Sequence, residues 1–172
     1  YLQRARQLGA QWNGTTSDER VNYFITLGAD SMRAGMQFME DAVRYPLFLQ
    51  EELVRERPVV TGEFDRNEAS PFFQLNRAVD TLLWTPAYYS HKNTIGDRQV
   101  ILTTTPEKMR EIQRRYYVPN NSALILAGDV TPANGFRLAT EIFGDWPRGE
   151  DPFATPIPDP PPVTMAVLPS SS

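Results

Sequence analysis

The chain has 172 residues, 41% of them hydrophobic and 22% charged, with a formal net charge of −4. That length fits one domain, or a large part of a two-layer one, and interspersed charges of both signs without a basic run argue against nucleic acid or an anionic membrane as the main partner. No apolar run approaches the roughly 18 residues of a membrane span, the absence of cysteine excludes disulfides and thiolate sites, and the single histidine, His91, cannot complete a site that needs two imidazoles.

The chain opens at Tyr1-Leu2-Gln3-Arg4, without an initiator Met or signal-peptide pattern, as expected of a processed or trimmed product. Asn13-Gly14 is turn-like, and Val21-Asn22-Tyr23-Phe24-Ile25-Thr26-Leu27 is dominated by β-branched and aromatic residues in partial alternation with polar ones. Strands are predicted near residues 9–15 and 20–27, with Ser17-Asp18-Glu19-Arg20 as the polar turn feeding the second. Asp30 or Ser31 then caps a helix carrying Met32, Met36, Met39 and Val43 at helical spacing, a stripe that reads as core, and Pro46 ends it. Helical segments follow over 49–67 and 71–84, the latter with Phe72, Leu75, Val79, Leu82 and Leu83 as its apolar side. Residues 85–97 read as a loop containing Tyr88, Tyr89 and His91.

Thr105-Pro106-Glu107 opens the next helix, with Thr105 as N-cap, Pro106 in the first helical position, and Met109, Ile112 and Tyr116 inward. After Asn120-Asn121 the run Ser122-Ala123-Leu124-Ile125-Leu126-Ala127-Gly128 reads as a buried strand. Thr131-Pro132 starts a last helix with Phe136, Leu138, Ile142 and Phe143, closed by Gly144. From Trp146 onward prolines are dense, and residues 151–172 read as an extended, stiff linker towards something else. Strands early and late with helices between suit an α+β layer fold.

Glu56 and Glu63 frame the stretch Glu56-Arg57-Pro58-Val59-Val60-Thr61-Gly62-Glu63. Seven residues turn an ideal helix by about 700°, so the two carboxylates align within about 20° but stand roughly 10 Å apart along the axis. They cannot both hold one ion from a regular helix. Pro58 costs about 3 kcal/mol inside a helix and Gly62 about 1 kcal/mol against Ala, which predicts a helix bent or divided near Pro58. On spacing alone the pair reads as a solvated acidic face.

Four stretches, in order over roughly 9–147, resemble landmarks of the pitrilysin/insulinase-type (mitochondrial-processing-peptidase-like) zinc metallopeptidase family. Gly9-Ala10-Gln11-Trp12-Asn13-Gly14-Thr15-Thr16 and its continuation to Tyr23 resemble the family's edge-strand segment. Glu52-Leu53-Val54-Arg55-Glu56 through Glu63 resembles its glutamate helix, and Tyr89-Ser90-His91-Lys92-Asn93-Thr94-Ile95-Gly96 its next landmark. Tyr116-Tyr117-Val118-Pro119-Asn120-Asn121 through Val130, followed by Phe143-Gly144-Asp145-Trp146-Pro147, resembles the segment that links a helix to a core strand.

The resemblance implies an antiparallel sheet with helices packed mainly on one face: a processing-peptidase-like metallopeptidase domain, N-terminally incomplete, over residues 1–150, with 151–172 leading to a following domain. It implies that Glu63 is the third zinc ligand and Glu56 an accessory acidic residue. Asn13, Gly14 and Thr16 would lie on the strand that pairs with an extended substrate, a β-augmentation mode, with Gly14 where a backbone must come close. The family's His-x-x-Glu-His motif is absent, so no catalytic residue lies within this chain, and zinc belongs to a parent protein. Three readings stay open: part of a zinc-dependent endopeptidase acting on extended peptides, inactive by itself; a catalytically inactive domain serving as scaffold; or an unrelated soluble binding domain, expected if the glutamates and Asn13 lie on opposite sides of the structure. The expected partners are a peptide or protein substrate and a second pitrilysin-like domain in the same or a partner chain; the expected setting is periplasmic or otherwise extracytoplasmic. His91 and Asp129 read as structural.

Overall fold

A computed structural model of the chain describes residues 2–84 and 94–154. Helix α1 (Leu2–Gln7), which the sequence reading did not assign, is anchored by the buried Ala5 and by an ion pair from Arg4 to Asp41. It ends in a Schellman motif: Ala10 N–H bonds to Ala5 O at 3.0 Å and Gly9 N–H to Arg6 O at 3.0 Å, with Gly9 left-handed at φ 60°. That turn delivers the chain into β1 (Gln11–Thr16), which pairs antiparallel with β2 (Val21–Thr26) in a two-stranded sheet. The two predicted strands are therefore present, each within two residues of its expected bounds.

A 3-10 turn (Ala29–Ser31) leads into α2 (Met32–Arg44), where Ser31 holds the N-cap position without a side-chain hydrogen bond, so neither expected cap is made. Met36 and Phe38 are buried, and β2 leans on this helix because Gly35 has no side chain: a Cβ there would stand 2.3 Å from Leu27 Cδ2. Helix α3 (Gln50–Glu68) is one continuous element with Pro58 inside it, so the division expected at Pro58 does not occur. Its partners are α4 (Pro71–Leu83) and α5 (Arg98–Thr103). Phe64 of α3 is buried edge-on against Phe73 of α4 at 6.1 Å, and Arg98 of α5 lies 4.7 Å over the Phe64 ring while bonding Asp65 and Glu68. These tertiary contacts fasten the half of α3 beyond Pro58 and offset the local cost of the proline. Helix α5 was also not assigned, although Asp97 caps it by accepting from Gln99 N–H at 2.8 Å and Val100 N–H at 3.2 Å.

Helix α6 (Pro106–Tyr116) starts as read, with Thr105 Oγ1 accepting from Lys108 N–H at 3.3 Å. Gln113 of α6 donates to Val43 O at 3.0 Å, fastening α6 to the end of α2. Helix α7 (Pro132–Phe143) packs on α2 through buried Leu138 and an ion pair from Arg33 to Glu141. Arg44, its side chain largely buried, ties α2 to the chain after α7 by bonding Asp145 at 2.7 Å and lying over the Trp146 ring. Residues 149–153 dock back: Gly149 N–H bonds Asn120 Oδ1 at 3.0 Å, and Phe153 meets the Tyr116 ring at 6.0 Å.

Two expectations about burial fail. Residues 122–127 are extended but form no ladder among the described residues, and Ile125 is 84% exposed. Leu126 and Val130 rest on α7 at Gly135, yet no neighbouring strand among the described residues supplies the second set of contacts a buried strand needs. The apolar side of α4 likewise faces outward, with Phe72 72% and Leu82 87% exposed. The loop expected over 85–97 and the proline-rich tail lie largely outside the described residues.

Candidate functional site

The hairpin sets the first part of the site. Ser17 N–H donates to Arg20 O at 2.9 Å across the turn. In register, Thr15 faces Asn22, Asn13 faces Phe24 and Gln11 faces Thr26. Antiparallel alternation then gives these β1 residues the main-chain bonds to β2, and directs the N–H and C=O of Thr16, Gly14 and Trp12 to the opposite edge. The Gly14 N–H is consistent with this: it donates to Asn13 Oδ1 at 2.8 Å rather than to β2. That outer edge of β1 has no strand partner among the described residues. Of the three residues expected to meet a substrate, Gly14 and Thr16 thus present main-chain groups there, whereas Asn13 presents its side chain. A Cβ on Gly14 would stand 3.3 Å from Tyr23 Cδ1, so the glycine also admits the Tyr23 ring of the sheet itself.

Beneath the hairpin lies a cavity of about 370 Å³, lined by Trp12 and Tyr23 of the strands, Met39 and Val43 of α2, Ile112 of α6, and Tyr117 beyond it. The Tyr23 and Tyr117 hydroxyls bond each other at 2.7 Å. Burial first, and then that bond, pushes the Tyr117 hydroxyl above its ordinary value of 10.0, so it stays neutral. Sequence reasoning did not single out Trp12, Tyr23 or Tyr117 as site residues. Their signal was the period of two that puts Trp12 and Gly14 on one face, but pairing with Tyr23 depends on a register fixed only by the turn.

The second part is α3. Because that helix is continuous, Glu56 and Glu63 share a face and stand roughly 10 Å apart along the axis. Both are exposed, and among the described residues neither has a hydrogen bond or ion pair, whereas Asp65 and Glu68 of the same helix are engaged by Arg98. The Arg98 guanidinium is held above its ordinary value by its bonds to Asp65 and then Glu68. Buried Phe64 fixes the rotation of α3, which leaves its neighbour Glu63 facing outward.

No group of three metal-ligating side chains occurs among the described residues, and His91 lies outside them. A four-coordinate zinc needs more donors than one free carboxylate, so these residues by themselves do not fit that metal; Glu63 fits the part of a single oxygen donor. The geometry also keeps the parts distinct: the hairpin rests on α2, and α3 on α4 and α5. No described helix is long and apolar enough to cross a membrane.

Comparison with known proteins gives the context. The family model described as insulinase (peptidase family M16) matches residues 1–93, and that described as peptidase M16 inactive domain matches 103–169. The coenzyme PQQ synthesis protein F of Pseudomonas aeruginosa is 28% identical over 156 residues, covering 88% of this chain and 20% of that protein. Zinc protease PqqE of Helicobacter pylori is 24% identical over 146 residues, 80% of this chain and 31% of that protein. A protease from Helicobacter pylori superposes with a TM-score of 0.75 at 23% identity, covering 92% of this chain and 38% of its own. The ferredoxin protease FusC, solved as a point mutant in complex with Arabidopsis ferredoxin, superposes with a TM-score of 0.69 at 26% identity, covering 79% of this chain and 15% of its own. The chain therefore spans well under half the length of these relatives. With more than half of its residues matched by the first family model, the chain belongs to the insulinase family, peptidase family M16.

Proposed function

We propose that the chain is the part of a zinc-dependent metallopeptidase that supplies one carboxylate ligand, Glu63, and one substrate-pairing strand edge, β1. The observation that carries this is the contrast along α3: Asp65 and Glu68 are spent on Arg98, while Glu63 is exposed and, among the described residues, unpaired. Glu56, one heptad earlier, is too far along the axis to share the ion and acts as an accessory charge. Zinc, where bound, supplies a Lewis acid that activates water for amide hydrolysis; its remaining ligands lie outside this chain. On the β1 edge, Gly14 and Thr16 offer main-chain hydrogen bonds to an extended peptide and Asn13 an amide. Residues 1–150 form the peptidase-type unit, and the proline-rich stretch from 151 leads to a second domain that closes over the substrate. Likeness to two solved structures of the periplasmic protease PqqL from Escherichia coli supports an extracytoplasmic setting.

The test is Glu63→Gln in the full-length protein. Zinc content and peptide cleavage should both fall by more than the roughly 10- to 100-fold typical of outer-shell changes, while Asp129→Asn keeps the metal. Full zinc occupancy in the Glu63 variant refutes the ligand assignment.

A second reading, an inactive domain acting as scaffold, draws on the match of residues 103–169 to the model described as an inactive domain. It predicts no stoichiometric zinc in the purified full-length protein, measurable by atomic absorption.

A further inference from the structure

We propose that Asn13-Gly14 is a spontaneous modification site, at which the Gly14 nitrogen closes on Asn13 Cγ and converts the asparagine, without an enzyme, into an aspartyl or isoaspartyl residue. The sequence holds two Asn-Gly pairs, Asn13-Gly14 and Asn134-Gly135. As dipeptides they are equivalent, because a glycine nitrogen has no neighbouring side chain to shield it. The structure makes them different.

In β1 the Asn13 side chain is folded forward onto its own successor. Gly14 N–H donates to Asn13 Oδ1 at 2.8 Å, which holds the nitrogen beside the carbonyl group it must attack. Every residue of β1 is exposed, and among the described residues the strand is paired on one side only. Ring closure needs the Asn13 main chain to turn out of the extended conformation, and an exposed two-stranded hairpin opens at low cost. In α7 the corresponding groups are committed elsewhere. Gly135 N–H donates to Thr131 O at 2.9 Å, Asn134 N–H to Thr131 Oγ1 at 3.3 Å, and Asn134 Oδ1 accepts from Arg137. Gly135 is also buried, against Leu126 and Val130. Its nitrogen is freed only by unwinding the first turn of α7.

In the reaction Gly14 N gives its proton to solvent and forms a bond to Asn13 Cγ. The Cγ–Nδ2 bond breaks, and Nδ2 takes a proton from solvent and leaves as ammonia. Water then opens the cyclic succinimide at either carbonyl. Cleavage of the new N–Cγ bond gives an aspartyl side chain. Cleavage of the original peptide bond frees the α-carboxylate and routes the main chain through Cβ and Cγ. No oxidant or reductant is needed. The second product lengthens β1 by one carbon and breaks the register of position 13 with Phe24. Loss of peptide pairing would follow, and that consequence alone rests on the reading of β1 as a substrate-pairing edge.

The test incubates the full-length protein in warm, mildly alkaline buffer and follows both Asn-Gly peptides by mass spectrometry, with electron-transfer fragmentation to separate aspartyl from isoaspartyl. In the folded protein Asn13 should convert at least about tenfold faster than Asn134. In concentrated urea the two should convert at similar rates. Gly14→Ala, whose methyl group shields the nitrogen, should slow conversion at position 13 by at least about tenfold and leave Asn134 unchanged. Equal rates at the two pairs in the folded protein, an intact Asn13 there while the urea sample converts, or an Asn13 rate unmoved by Gly14→Ala overturns the proposal. If the isoaspartyl form, with EDTA present, still binds an extended peptide as tightly as fresh protein does, the substrate-pairing edge falls and the modification site stands.

Discussion

Asn13 does two things that pull in different directions. Its main chain belongs to the β1–β2 ladder, while its side-chain oxygen reaches one residue forward to occupy the Gly14 N–H at 2.8 Å. An unpaired strand edge is an open template for other strands, and this bond closes one of its positions. On the proposed pairing, a peptide carbonyl arriving at Gly14 would first displace Asn13 Oδ1, exchanging one hydrogen bond for another at small net cost. In Asn13→Ala the Gly14 amide loses its intramolecular acceptor and should exchange with deuterium about fivefold faster, a net bond of about 1 kcal/mol; unchanged exchange at Gly14 means that the side chain does not hold it in solution. Asn13 and Gly14 were legible in the sequence only through resemblance, since an Asn-Gly pair reads locally as a turn. Trp12 and Tyr23 were not legible, because what they line depends on α2 and α6, remote in the sequence.

At the scale of elements, Pro58 separates local preference from tertiary outcome. A proline at this position leaves Val54 C=O without its helical donor and crowds it with the ring, at a cost of about 3 kcal/mol. Helix α3 nonetheless runs unbroken from Gln50 to Glu68. The compensation lies beyond the proline, in Phe64 against Phe73 and in Arg98 bridging Asp65 and Glu68, with Arg57 reaching Thr104 O alongside. None of these partners lies within α3, which is why propensity along 49–67 predicted a break. The same reasoning covers residues 122–128: their composition gave a buried strand, but a strand's pairing is a property of its neighbours, and no described strand lies beside them. If the proline is a net cost carried by those contacts, Pro58→Ala should strengthen α3 by about 2–3 kcal/mol, slowing exchange of its amides roughly 30- to 150-fold. A change of less than about threefold means that the helix has already relaxed around Pro58.

For the molecule as a whole, the distribution of apolar surface is the informative quantity. The buried apolar side chains among the described residues are few: Ala5, Met36, Phe38, Phe64, Val118 and Leu138. Against them stand Phe72 and Leu82 of α4, Phe136 of α7, and Leu124 and Ile125 in an extended run with no described strand beside it. Exposed apolar patches together with an unpaired extended segment are the combination that drives self-association. The 172-residue chain on its own should therefore sediment as concentration-dependent oligomers, and Ile125→Lys should shift it towards monomer because a charge on that run cannot be buried in a strand-to-strand contact. In the full-length protein, if further chain covers this surface as the greater length of the relatives suggests, the same substitution acts in the opposite sense. It then places a charge where an isoleucine is buried and lowers folding stability by about 2–3 kcal/mol or more. A neutral effect of Ile125→Lys in both settings would mean that the run is a solvent-facing loop in every context and that its apolar sequence has no strand partner to meet.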